Sequence, residues 1–123
     1  VERPPAPQTA PEVRTPLTAT AKTVTGGTMT VTFPSVPPGE RWYVDRVVIT
    51  NNSTTATQAL MYSGPPSQAT YLDSSGAGNR DVGEFDTSHL LHPGDVLTLV
   101  WSGVTPPASP LALARLFYRA ESL

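Results

Sequence analysis

The sequence predicts an all-β fold, an antiparallel two-sheet β-sandwich, from three features. Short runs rich in Val, Thr, Ile, Leu and aromatic residues alternate apolar with polar positions. Clusters of Pro, Gly, Asn and Ser interrupt those runs at intervals of about 8 to 12 residues. No stretch carries a helical apolar period past its prolines. Seven or eight strands are expected, in a jelly-roll-like arrangement, preceded by an extended Pro-rich N-terminal arm. The division is 1–16 for the arm and 17–123 for the sandwich domain. With 123 residues the chain has room for one such core.

Residues 1–16, VERPPAPQTAPEVRTP, hold five prolines and almost no apolar mass. They can form neither helix nor ladder and should run extended, largely as polyproline II. Alone in water such a segment is a tail. Its ordering needs something to lie against, and a neighbouring subunit is the expected support, with packing on its own domain as the alternative. Arg3, Pro4, Pro5, Pro7, Pro11, Val13, Arg14 and Pro16 are the candidate docking residues.

From Leu17 regular alternation begins. LTATAKTV is one strand, Gly26-Gly27 turns the chain, and TMTVTF is a second with Met29, Val31 and Phe33 on one face; the pair reads as a hairpin. The central strand, WYVDRVVITN over Trp42 to Asn51, is punctuated by Pro37-Pro38-Gly39 before it and Asn51-Asn52-Ser53 after it. Its two alternating sets place Asp45 and Arg46 on opposite faces, so neither face is wholly apolar. TQALMYS is expected to return beside it as a second hairpin, QATYL is a short strand, DSSGAGN a loop, and residues 79–88 contain one short strand at best. Pro93-Gly94 turns the chain into DVLTLVWS, where Leu97, Leu99 and Trp101 share a face. In the last strand, LALARLFYR, the arginine-free set Ala112, Ala114, Leu116 and Tyr118 should face the core. Good helix formers and Pro110 make a helix conceivable here, but a sandwich needs a closing strand.

The absence of cysteine excludes disulfides, thiolate nucleophiles and cysteine zinc sites together. A net charge of −2 gives no basic footprint for nucleic acid. No apolar run approaches the roughly 20 residues of a membrane span, and no apolar signal-peptide core opens the chain, so no membrane partner is expected. His89 and His92 stand three apart before Pro93-Gly94 and read as solvated loop residues rather than metal ligands. Asp81, Glu84 and Asp86 form an oxygen-rich stretch that could hold calcium but lacks the ligand spacing of an EF-hand. Ser74, Ser75 and Ser88 belong to no nucleophile elbow, and Gly76 to Asp81 lacks the strand-to-helix setting of a phosphate loop. Neither an enzyme nor a cofactor is expected. Asn51-x-Ser53 and Asn52-x-Thr54 have the form of glycosylation sequons but read more simply as a strand-end turn. Trp42, Tyr43, Tyr62, Tyr71, Trp101 and Tyr118 could in part stack sugar rings, although most occupy alternating strand positions that suit a core.

Five segments, VPPGERWYVDRVVITNNS, LMYSG, NRDVGEFD, LLHPGDVLTLVWSGV and LARLFYR, mark the run from Val36 to Tyr118, about two thirds of the chain. In these the sequence resembles small β-sandwich virion structural proteins of long-tailed bacteriophages that infect high-GC, actinobacterial-type hosts. The resemblance implies a non-enzymatic virion part present in many copies, associated with tail or neck or decorating the capsid surface. Its partners would be copies of itself and other capsid, neck or tail proteins, and it would be assembled in the host bacterial cytoplasm. The alternative is a carbohydrate-binding β-sandwich module, possible in host attachment, with a glycan as partner.

Overall fold

A computed structural model describes residues 16–53, 55, 58–76, 82–86 and 89–123. The described residues contain strands and turns and no helix. The strands are β1 (Leu17–Ala21), β2 (Met29–Thr32), β3 (Glu40–Asn51), β4 (Gln58–Tyr62), β5 (Tyr71–Gly76), β6 (Val82–Asp86), β7 (Leu90–Leu91), β8 (Thr98–Ser102) and β9 (Ala112–Ser122). Two antiparallel sheets form the sandwich. One runs β1-β9-β3-β6, with β7 continuing the β6 lane beside the start of β3; the other runs β2-β8-β4-β5. The predicted sandwich is present, with one more strand than anticipated because one edge lane is split between β6 and β7.

The interior is apolar because strands of both sheets turn their apolar sets inward. Met29, Val31 and Phe33 come from β2 and its extension, Ala59 and Met61 from β4, and Leu97, Leu99 and Trp101 from the β8 segment. Against them lie Val47 and Ile49 of β3 and Ala112, Ala114, Leu116 and Tyr118 of β9, all buried. The arginine-free face of β9 is therefore the core face, and residues 111–120 extend as strand rather than coil as helix.

Strand β3 is central, between β9 and the β6/β7 lane, but its alternation changes phase. Val44 is opposite Tyr118 and Arg46 is opposite Phe117, so Asp45 is an extra residue with no partner of its own. Such a bulge turns the following side chains by one position. Trp42 and Val44 point inward before it, and Val47 and Ile49 after it. The mixed faces of the sequence are thus one continuous core face interrupted once.

Both expected hairpins are corrected by the pairing. β1 pairs with β9 and β2 with β8, so the Gly26-Gly27 turn carries the chain from one sheet to the other. Both glycines have positive φ, 58° and 77°, which the tight Thr25–Thr28 bridge requires. Likewise β4 pairs with β5 and β8, not with β3. Strand β5 begins at Tyr71 and continues through DSSG, which had read as loop. A polar clasp secures the exit from β3: buried Asn51 accepts the Ser53 amide at 2.8 Å, and Asn52 accepts the Leu111 amide at 2.8 Å while donating to the Ser109 carbonyl at 2.7 Å. Asn51 and Ser53 are buried structural groups, in keeping with the strand-end reading of the sequon.

Candidate functional site

Two outer faces remain once the core is filled, and they differ in chemistry. On the β1-β9-β3-β6 face, charges at the β3 start and β9 end are matched within the chain. Arg41 and Tyr43 both donate to Glu121 Oε1, at 3.0 Å from Arg41 Nε and 2.8 Å from Tyr43 Oη. Arg119 reaches Asp45 Oδ1 at 2.9 Å, and the Arg46 guanidinium sits 4.7 Å from the Phe117 ring centroid. Cross-strand register puts these groups side by side.

The other face carries an aromatic groove. Leu60 and Tyr62 point out of β4 because Ala59 and Met61 point in. On β5 the register shifts between the Asp73 and Tyr71 pairings, leaving Leu72 extra and bringing Tyr71 opposite Tyr62 on the outer surface. The two rings meet edge to face at 6.1 Å and 70°. Pro66, Ser67 and Gln68 of the β4–β5 connection complete a groove of about 580 Å³. Thr70 braces this rim: its hydroxyl donates to the Pro65 carbonyl at 2.6 Å, and its carbonyl accepts the Ser63 amide at 2.8 Å. Tyr71 is 46% exposed, the most open aromatic ring among the described residues.

A second depression of about 330 Å³ lies where β1 and β2 approach, lined by Thr20, Lys22, Thr23, Thr25, Thr28 and Thr30 among others. Its hydroxyls and the Lys22 ammonium make it mainly polar, with Ala21 as an apolar member.

Of the six aromatic residues singled out in the sequence, Trp42, Tyr43, Trp101 and Tyr118 are buried, whereas Tyr62 and Tyr71 form the groove. Trp42 packs on Tyr118 at 4.3 Å between centroids and donates from Nε1 to Glu40 at 2.9 Å. Burial pushes the Tyr118 phenol above its ordinary pKa, and the Glu40 carboxylate pushes it the same way. Among the described residues no three His, Cys, Asp or Glu side chains gather as metal ligands. His92 is exposed, with Nδ1 3.7 Å from Asp95. Of the calcium candidates, Asp81 lies outside the described residues, and Glu84 and Asp86 are described only as backbone of β6. Of the arm, Arg3, Pro4, Pro5, Pro7, Pro11, Val13 and Arg14 lie outside the described residues, and Pro16 is half-buried at the entry to β1. Sequence alternation could place Leu60 and Tyr62 outward, but Ser67 and Gln68 carried no sign of their role.

No protein-family model matches the chain, and no curated protein does. Solved structures do share its fold. A chain from the acidic stable capsid structure of Helicobacter pylori bacteriophage KHP30 superposes with a TM-score of 0.57 at 13% identity, covering 92% of this chain and 98% of that one. The coat protein of Tobacco streak virus gives 0.52 at 15% identity, covering 96% and 89%. The fold is one found in phage and plant-virus capsid structures. A family 6 carbohydrate-binding module is more distant, with a TM-score of 0.43 at 16% identity over 77% of this chain and 68% of that one.

Proposed function

We propose that this protein is a non-enzymatic structural component of a tailed-phage particle, at the capsid surface, neck or tail, present in many copies that are joined in part by residues 1–16. The observation that carries the reading is the strand order. The order β1-β9-β3-β6 facing β2-β8-β4-β5 supports a jelly-roll reading, an architecture common in viral capsid domains. The near-complete coverage of the KHP30 capsid chain supports it from outside the sequence. A sandwich with open edge strands at β1, β2 and β5 has backbone to cover, and assembly with neighbours covers it.

The test is removal of residues 1–16. The truncated chain should keep the two-sheet core, whose buried members run from Met29 to Tyr118, and should fail to enter particles. Normal incorporation of the truncation would refute the reading. Glycan binding is the second reading, favoured by the exposure of Tyr71 beside Tyr62. Glycan-array binding that disappears in Tyr71→Ala, with assembly intact, would select it.

A further inference from the structure

The groove between Tyr62 and Tyr71 has a lining that suits a segment of this same chain. Its walls are two tyrosine rings, Leu60 and Pro66, and its polar groups are the two phenols, Ser67 and Gln68. Among the described residues neither an acid nor an arginine lines it. Sugar hydroxyls need several converging polar groups besides a ring to stack on. A polyproline II segment needs less: a preformed left-handed helix seats its prolines between aromatic rings and uses a few donors for its free carbonyls. Residues 1–15 supply such a segment, with Pro4-Pro5-Ala6-Pro7 placing prolines three apart.

We propose that the proline-rich stretch around Pro4 to Pro7 of one copy docks in the Tyr62/Tyr71 groove of a second copy. This rests on the assembly reading above and names the surface that receives the arm. Register fixes the direction of departure. The chain enters β1 opposite Leu116, coming from the end of the sandwich where β9 finishes and β3 begins. Tyr62 closes β4 at that same end, through its pairing with Thr98 and the pairing of Thr98 with Thr32. Reach then extends beyond the chain's own groove. From Leu17 back to Pro7 and Pro4 an extended polyproline segment spans roughly 30 to 40 Å at about 3.1 Å per residue. Within one molecule β1 lies beside β2, two to three strand lanes from the β4–β5 groove. That separation is about 14–18 Å, from lanes about 4.8 Å apart and sheets about 10 Å apart. An extended segment about twice that length has reach to spare for bridging to the next molecule.

The test uses the full chain with a benzophenone amino acid in place of Ala6, mixed with an equal amount of ¹⁵N-labelled chain, concentrated and irradiated. Cross-links should join the arm of one isotope to the 58–76 peptide of the other. The double variant Tyr62→Ala, Tyr71→Ala should reduce them about tenfold, as truncating aromatic anchors does, while Tyr71→Phe retains them. Cross-links confined to one isotope, cross-links to another surface, or an undiminished yield in the double variant would each overturn the proposal. So would glycan-array binding that depends on Tyr71 while the arm cross-links elsewhere. Particle incorporation separates the two levels. If deleting 1–16 blocks incorporation but the groove variant enters normally, this docking site is wrong and the assembly reading stands; if both enter normally, the assembly reading itself fails.

Discussion

Deleting Asp45 should leave the fold nearly intact, whereas deleting Val48, three positions away in the same strand, should not. Asp45 is the bulged residue: Val44 already pairs with Tyr118 and Arg46 with Phe117. Without it Trp42, Val44, Val47 and Ile49 fall into plain alternation, and every inward residue stays inward. What is lost is the Asp45–Arg119 pair, whose side chains are 29% and 28% exposed. Partly exposed pairs contribute about 0–1 kcal/mol, equivalent to a fall in Tm of no more than roughly 4 °C for a domain of this size. Deleting Val48 breaks the phase. The strand must either turn Ile49 outward or flatten the bulge, which turns Arg46 inward and Val47 outward. Val47 and Ile49 are both fully buried. Exposing either costs about 1.5–3 kcal/mol, and burying an unpaired guanidinium adds several more. The cheaper route, turning Ile49 outward, costs about 1.5–3 kcal/mol, a large share of the roughly 5–15 kcal/mol that holds a typical domain together. Urea or thermal melts of the two deletions, with Asp45→Ala isolating the ion pair, make the comparison. Equal losses from the two deletions would show that the bulge does not set the phase of β3.

Leu99→Ala should cost about 2–5 kcal/mol in urea melts, since Leu99 is fully buried between the sheets, while Leu123→Ser at the exposed C-terminus should stay within about 0.5 kcal/mol. Asn52→Ala removes both side-chain hydrogen bonds to the 109–111 segment and should cost about 1–2 kcal/mol with faster hydrogen exchange at the Leu111 amide. Tyr118 keeps its proton in the folded state at pH values where the unfolded chain has begun to lose it. Its contribution is therefore complete below about pH 10 and falls as pH rises from there through the raised folded value. Melting curves across that alkaline range should decline less steeply in Tyr118→Phe, and absorbance titration should find a phenol that ionises late.

Much of the fold could be read in the sequence, since alternation reports burial directly in an antiparallel sandwich. β9 shows this best: its arginines mark the wet face, and the complementary set is buried throughout the two-sheet contact. Alternation does not name a strand's partner. The Gly26-Gly27 turn looks like a hairpin turn, and does reverse the chain, yet β1 and β2 belong to different sheets because each finds a longer ladder elsewhere. Irregularities were the other blind spot. Asp45 made β3 look two-faced, and the extra Leu72 determines that Tyr71 faces outward beside Tyr62. The groove therefore depends on a register shift and on a loop brace at Thr70, neither of which has a pattern in the sequence.

The asymmetry between the two outer faces bears on where a partner can bind. On the β3/β9 surface Glu121 is engaged by Arg41 and Tyr43, Asp45 by Arg119, and the Phe117 ring by Arg46. A molecule docking there would have to desolvate or replace contacts the chain already makes, and the exchange would return little net free energy. The β4/β5 surface offers Tyr62 and Tyr71 over apolar neighbours, on a rim held in place by backbone hydrogen bonds before any partner arrives. Burying those rings gains hydrophobic free energy with little ordering cost on the receiving side. Of the two faces, the one built around Tyr62 and Tyr71 has contact energy left to give.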